Sequence, residues 1–200
     1  MEADILLYIQ EFIRNDILNP IMIFLTHSGD YGILCILAAL ILIFIPKTRR
    51  LGMITGISIA LEFLMNNIIL KNLVARTRPY EVIEELEILI GRQPDYSFPS
   101  GHSGVSFAFA GALLFALIFG IPGFTDNRKY KTVTILVLIY ATIVAFSRLY
   151  VGVHYPTDVI VGALLGIISG VASYFIVKKL YESRKTNKAE SQHTSELSSD

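Results

Sequence analysis

The chain has 200 residues, 53% of them hydrophobic, and a mean hydropathy of +0.56, which excludes an ordinary soluble domain and points to a membrane protein. Lys plus Arg equals Asp plus Glu at 17 each, so net charge names no partner, and no basic stripe interleaved with aromatics suggests nucleic acid. The one cysteine, Cys35, excludes an intrachain disulfide and a metal site built on cysteine, and reads as a small buried hydrophobe.

Glu2 and Asp4 stand where a basic leader would begin, so no cleavable signal peptide is expected. Apolar residues recur at helical spacing over 5–25, interrupted by Gln10, Glu11, Arg14, Asn15 and Asp16. Residues 1–28 are therefore expected to form an amphipathic helix lying in the interface, with a further span as the alternative. Five runs then approach the roughly 20 apolar residues that a membrane span needs: 29–46, 51–70, 101–121, 133–150 and 156–177. The expected fold is an all-α integral-membrane bundle of five to six transmembrane helices, its membrane domain covering 29–180. The polar, Ser-rich tail 181–200 is expected to be disordered.

Lys47, Arg49 and Arg50, then Arg128, Lys129 and Lys131, then Lys178, Lys179, Arg184, Lys185 and Lys188 all fall on one side of a five-span layout. That side, with the tail, is expected to be cytoplasmic, in a multi-pass plasma-membrane protein. Gly162, Gly166 and Gly170, like Gly104, Ala108, Ala112 and Ala116, repeat every four residues, a spacing that lets helix backbones approach closely in lipid.

The opposite side collects unusual residues. Lys71 and Arg78 follow the second span in KNLVARTRP, Ser100, Gly101 and His102 open the third in PSGH, and Arg148 closes the fourth. His154 and Asp158 flank the start of the fifth in HYPTD. Each lies at the same end of its span, so helix packing can bring them together. Cations kept on the disfavoured side suit a multiply charged anion: Arg offers bidentate donors to phosphate, and Lys a point charge. Ser100 is a good N-cap and Gly101 allows close approach, so the first turn after it aims free N–H groups and the positive end of the helix dipole at an oxyanion. His102 beside that anion is suited to proton transfer near neutral pH. Asp158, one turn into a helix opened by Pro156, can reach back to one nitrogen of His154 and leave the other free to attack. The expected division of labour is one histidine with an orienting carboxylate and one without.

These residues resemble the type 2 phosphatidic acid phosphatase family, which includes lipid phosphate phosphatases and vanadium haloperoxidases. Its three motifs, Lys-x6-Arg-Pro, Pro-Ser-Gly-His and Ser-Arg-x5-His-x3-Asp, match KNLVARTRP (71–79), PSGH (99–102) and SRLYVGVHYPTD (147–158) at every defining position. The resemblance implies that His154 attacks phosphorus and forms a phosphohistidine, Asp158 orients it, and His102 protonates the leaving oxygen. It further implies that Lys71, Arg78, Ser100, Gly101 and Arg148 hold the phosphoryl oxygens, with no metal and no cofactor. A membrane lipid phosphate is then the expected substrate, undecaprenyl diphosphate first, with phosphatidic acid or phosphatidylglycerol phosphate as alternatives. A lipid-phosphate binding or transport protein without catalysis is the reading from another class. Outside the motifs, Glu62, mid-span and four residues before Asn66, is expected to have a packing role with a polar partner, the glutamate-rich 80–96 loop to hold a short amphipathic helix, and His27 and His193 to be incidental.

Overall fold

Residues 1–121, 124 and 128–197 are described by the structure, a computed structural model; His193 lies in a stretch whose side chains fall outside that description. Every regular element among them is helical: α1 (Glu2–Tyr8), α2 (Leu18–Ser28), α3 (Ile33–Phe44), α4 (Arg49–Phe63), α5 (Lys71–Val74), α6 (Gly101–Phe119), α7 (Arg128–Tyr150) and α8 (Pro156–Leu197). A wider π-helical stretch, Leu64–Leu70, joins α4 to α5 without a break, so these form one long span. Such a turn rotates the face that follows it, and here it precedes Lys71.

Four helices are long and apolar enough to cross a bilayer, and α2 and α3, bent by 44° at a short break, meet the same test as a pair, which gives up to five spans. This moves the first span. At 1.5 Å per residue the 12 residues of α3 extend about 18 Å, short of a hydrocarbon core of about 30 Å. The missing length comes from α2, so the expected boundary at residue 28 falls inside the bent pair. The break is the stretch Gly29–Gly32, where Tyr31 takes φ 55° and Gly32 φ 64°, both left-handed. Residues that look lipid-facing by period, among them Ile36, Leu40, Ile135, Ile139, Ile160 and Leu164, are exposed on the bundle's outside.

The bundle is centred on α6, 61% of whose apolar window is buried, against 33% for α7. The small-residue stripes of α6 and α8 mesh directly. A Cβ on Gly162 would come within 2.4 Å of the Ser100 carbonyl oxygen, and one on Gly166 within 2.4 Å of that of Gly104. No side chain separates the two helices there, so the start of α6 and the start of α8 hold a fixed register. Ile54, Phe109, Leu113, Tyr174 and Val177 fill the core below, and at the far end Arg50 stacks 5.0 Å over the Tyr181 ring.

Three expectations change here. The amphipathic face near the N-terminus is real, but its partner is protein: Leu6 packs with Leu86 and Tyr155, and Ile9 with Tyr150, Val151 and Val153. Gln10 and Arg14 bind the backbone of Glu85 and Glu87, at the end of the bundle that carries PSGH. The 80–96 loop holds no α-helix, only the 3-10 turn Pro79–Glu81. Its glutamates face out, and its Leu89 N–H is tied to the Val151 carbonyl at 3.2 Å. Finally, α8 runs on to Leu197 where an irregular tail was expected from 181. The chain after Gly170 contains neither Gly nor Pro, so nothing stops the helix.

Candidate active site

His154 sits in the buried turn between α7 and α8. The residue as a whole is 1% exposed, and Asp158, one turn into α8, is fully buried. The ring's Nδ1 lies 3.5 Å from Asp158 Oδ2 without forming a hydrogen bond. That carboxylate is held from three other sides. Oδ2 accepts from the Tyr155 N–H at 2.9 Å and from the Ser97 hydroxyl, and Oδ1 accepts from Arg76 Nη1 at 2.6 Å. Arg76 in turn stacks 3.8 Å over the Tyr155 ring and pairs with Glu2 at 2.6 Å. On the other edge of the imidazole, Nε2 is 3.2 Å from Arg78 Nη1. A guanidinium only donates, so Nε2 is the accepting nitrogen and the proton resides on Nδ1, facing Asp158. Burial, then the charges of Arg78, Arg148 and Lys71, hold the His154 pKa well below its ordinary value. The imidazole is neutral, with its lone pair on the edge toward Arg78.

Three buried cations, Lys71, Arg78 and Arg148, line the same cavity as His154, Arg78 being the one in contact with that lone pair. Arg78 is fixed by the Val153 carbonyl at 2.8 Å and the Asp95 carbonyl at 3.0 Å. Arg148 reaches the Thr26 hydroxyl at 2.6 Å, across the bent first span, while its buried Nε has no partner. The Asp95 carboxylate bridges Lys71 and Arg78, one oxygen to each. Burial alone would raise Asp95, but the hydrogen bond and charge of Lys71, with those of Arg78, outweigh it and hold its pKa at about 2.

PSGH is built as an N-terminus. Ser100 Oγ accepts from the Ser103 N–H at 3.4 Å, and the Ser100 N–H donates to the Asp158 carbonyl at 3.0 Å. The Ser100 carbonyl accepts from Asn66 at 3.3 Å, and Asn66 donates to Glu62 at 2.6 Å. Glu62 therefore does have the polar partner expected of it, and the pair braces the start of α6. His102 Nε2 lies 2.9 Å from Asp30 Oδ1, and Asp30 Oδ2 lies 2.8 Å from His27 Nδ1. This corrects two readings: both histidines have a carboxylate beside them, and His27 is not incidental.

Lys71, Arg78, Gly101, His102, Arg148 and His154 line one cavity of about 520 Å³, together with His27, Asp30 and Asp95. Ser100 and Asp158 stand behind its wall, both fully buried. Sequence reasoning missed Arg76, Ser97, Asp95, Asp30 and His27. Arg76 lay inside the quoted motif as an unassigned position. Asp30 lay between two glycines, a break signal that could have marked it. Among the described residues no group of three or more His, Cys, Asp and Glu is placed to hold a metal.

Neutral imidazole, a buried carboxylate behind it, three buried cations and a second histidine form a pocket suited to holding and transferring a phosphoryl group. The PAP2 superfamily profile matches residues 34–182, and the chain belongs to that superfamily, as one of its integral-membrane members. It is 35% identical to an undecaprenyl-diphosphatase of Sulfolobus acidocaldarius over 149 residues, 74% of this chain and 66% of that one. It is 31% identical to phosphatidylglycerophosphatase B of Bacillus subtilis over 176 residues, 86% and 80% of the two chains. The crystal structure of a transmembrane PAP2-type phosphatidylglycerolphosphate phosphatase from Bacillus subtilis superposes with a TM-score of 0.69 at 28% identity, covering 91% of this chain and 85% of that one.

Proposed function

We propose that this protein hydrolyses a membrane lipid phosphate through a phosphohistidine on His154, with an isoprenoid diphosphate, undecaprenyl diphosphate, as its substrate. The chain is a PAP2 phosphatase, a hydrolase acting on phosphoric esters, and its relatives act on membrane lipid phosphates. The observation that carries the reading is the neutral, fully buried His154 with Nε2 toward three cations around one cavity. The isoprenoid lean rests on the undecaprenyl-diphosphatase similarity.

In the first step the Nε2 lone pair attacks phosphorus, the bond to the leaving oxygen breaks, and His102 gives that oxygen its proton. The Nδ1 proton turns toward Asp158 as positive charge develops on the ring. Lys71, Arg78 and Arg148, with the N–H groups at the start of α6, stabilise the equatorial oxygens. In the second step water attacks the phosphohistidine while His102 takes its proton. Inorganic phosphate leaves, and both histidines return to their starting states. The clustering of cations at the opposite end of the bundle supports a site on the extracytoplasmic face and a cytoplasmic C-terminus.

Phosphate release by the purified protein in detergent with EDTA tests this reading. The panel is undecaprenyl diphosphate, phosphatidic acid and phosphatidylglycerol phosphate, with His154→Ala as the blank. Release is expected to survive chelation, to be fastest on the diphosphate and to vanish in the variant. Faster release from phosphatidic acid or phosphatidylglycerol phosphate reassigns the substrate. Tight binding without release from any lipid supports the binding-protein reading instead.

A further inference from the structure

The second histidine pair is built into a feature that the motifs do not contain, the break in the first span. Asp30 Oδ1 meets His102 Nε2 at 2.9 Å, and Oδ2 meets His27 Nδ1 at 2.8 Å. The break presses against the ring: a Cβ on Gly29 would come within 2.9 Å of His102 Cδ2 and 3.0 Å of Val144. One edge of the imidazole, Nε2 and Cδ2, is thus taken up by residues 29–30. Nδ1 lies on the opposite edge of the ring, and His102 lines the cavity. The charged groups acting on His102 are Arg148 from α7, Lys71 from α5 and Asp30 itself. Asp30 is the anion in contact with the ring and acts against both cations.

We propose that Asp30 is a positioning residue for proton transfer: it holds Nε2–H of His102, so that Nδ1 is the nitrogen that delivers a proton to the leaving oxygen, and His27 holds Asp30 in place by its second oxygen. The proposal rests on the general-acid reading of His102 given above. Its chemistry is balanced. With Nε2–H donated to Asp30, Nδ1 is free to take up a proton from solvent when the anionic phosphate enters and offsets the charge of Lys71 and Arg148, and the ring then carries that transferable proton as an imidazolium, which the carboxylate stabilises. On cleavage that proton goes to the leaving oxygen and the P–O electron pair with it, leaving a neutral ring whose Nδ1 accepts the proton of the hydrolytic water.

A general acid matters in proportion to how poor the leaving group is. This separates positioning from packing. The assay uses two lipid-like monophosphates of equal chain length in detergent, an alkyl phosphate, which must expel an alkoxide, and a nitrophenyl phosphate, which expels a stabilised phenoxide. Asp30→Ala and Asp30→Asn are expected to lose about 100-fold in kcat on the alkyl phosphate and no more than about threefold on the nitrophenyl phosphate, with KM little changed. Asp30→Glu is expected to recover part of the loss. His27→Gln is expected to show the same asymmetry at about tenfold, since it acts at one remove. Rates on the nitrophenyl phosphate also report that each variant is folded. Equal losses on both substrates in both Asp30 variants, or no loss, overturn the proposal. His102→Ala is run alongside. If it shows the asymmetry and the Asp30 variants do not, only the role of Asp30 fails; if it loses both substrates equally, the general-acid reading fails first.

Discussion

The two histidines of the cavity sit in contrasting surroundings. His154 is sealed: its ring is 2% exposed and Asp158 0%, and the pair comes from one local segment, four residues apart. Its carboxylate is fixed by Ser97, Arg76 and a backbone N–H at once. His102 is open: its side chain is 16% exposed, Asp30 37% and His27 55%, and the trio is assembled across 72 residues at the break of a bent span. In the proposed mechanism the nucleophile must stay neutral and aimed, which burial and the fixed carboxylate achieve. A proton donor must meet a leaving group that arrives with the lipid, so it belongs on the side the substrate can reach. The shared device is a carboxylate held at its far oxygen by another basic side chain, Arg76 in one case and His27 in the other.

The contrast can be broken first on the sealed side. Asp158→Asn is expected to lower kcat by about 10³-fold or more, because the amide no longer stabilises the ring as it gains charge. Rapid-quench detection of the phosphohistidine checks this, with intermediate formation slowed and KM little changed. Loss in the range expected for Asp30 would mean that the two halves are equally important. Arg76→Gln sharpens the same side. It leaves the buried Asp158 carboxylate short of a partner, and is expected to cost about 10- to 100-fold in kcat/KM and to lower the melting temperature in detergent. An unaltered rate would reduce Arg76 to a tether for the N-terminal helix through Glu2.

The smallest effect concerns the cations between the halves. Asp95 is pinned at about 2 when folded, against an ordinary value near 4. Its contribution to stability is therefore complete above about pH 4 and fades as pH falls toward 2. The melting difference between the wild type and Asp95→Asn is expected to shrink over that window and to be flat above it. Because Asp95 is half exposed, the difference stays modest. The same variant frees Lys71 and Arg78, and is expected to bind orthovanadate a few-fold more tightly, read by inhibition of phosphate release.

The contrast also explains what was legible in the chain. Lys71, Arg78, PSGH, Arg148, His154 and Asp158 stand in short segments whose spacing carries chemistry, and helix packing brought them to one end of the bundle. Arg76, Ser97 and Asp30 reach their partners across 82, 61 and 72 residues, from a loop or a helix break, where no period or spacing records the pairing. The N-terminal helix was legible as amphipathic, but period alone does not say whether the apolar face meets lipid or Leu86 and Tyr155. Likewise 29–46 was apolar enough to be called a span, yet only the bend at Gly29–Gly32 reveals that α2 supplies half its length.

The glycine seam between α6 and α8 has a consequence for life in bilayers of differing thickness. Helices meshed backbone to backbone cannot slide past one another by fractions of a turn, so a thinner or thicker membrane is met by tilting the pair as a unit. The depth of the pocket beneath the headgroups then shifts with the lipid, while the spacing of Ser100 from Asp158 does not. The reaction centre is insulated from membrane thickness, and only the ease with which a phosphate reaches it varies.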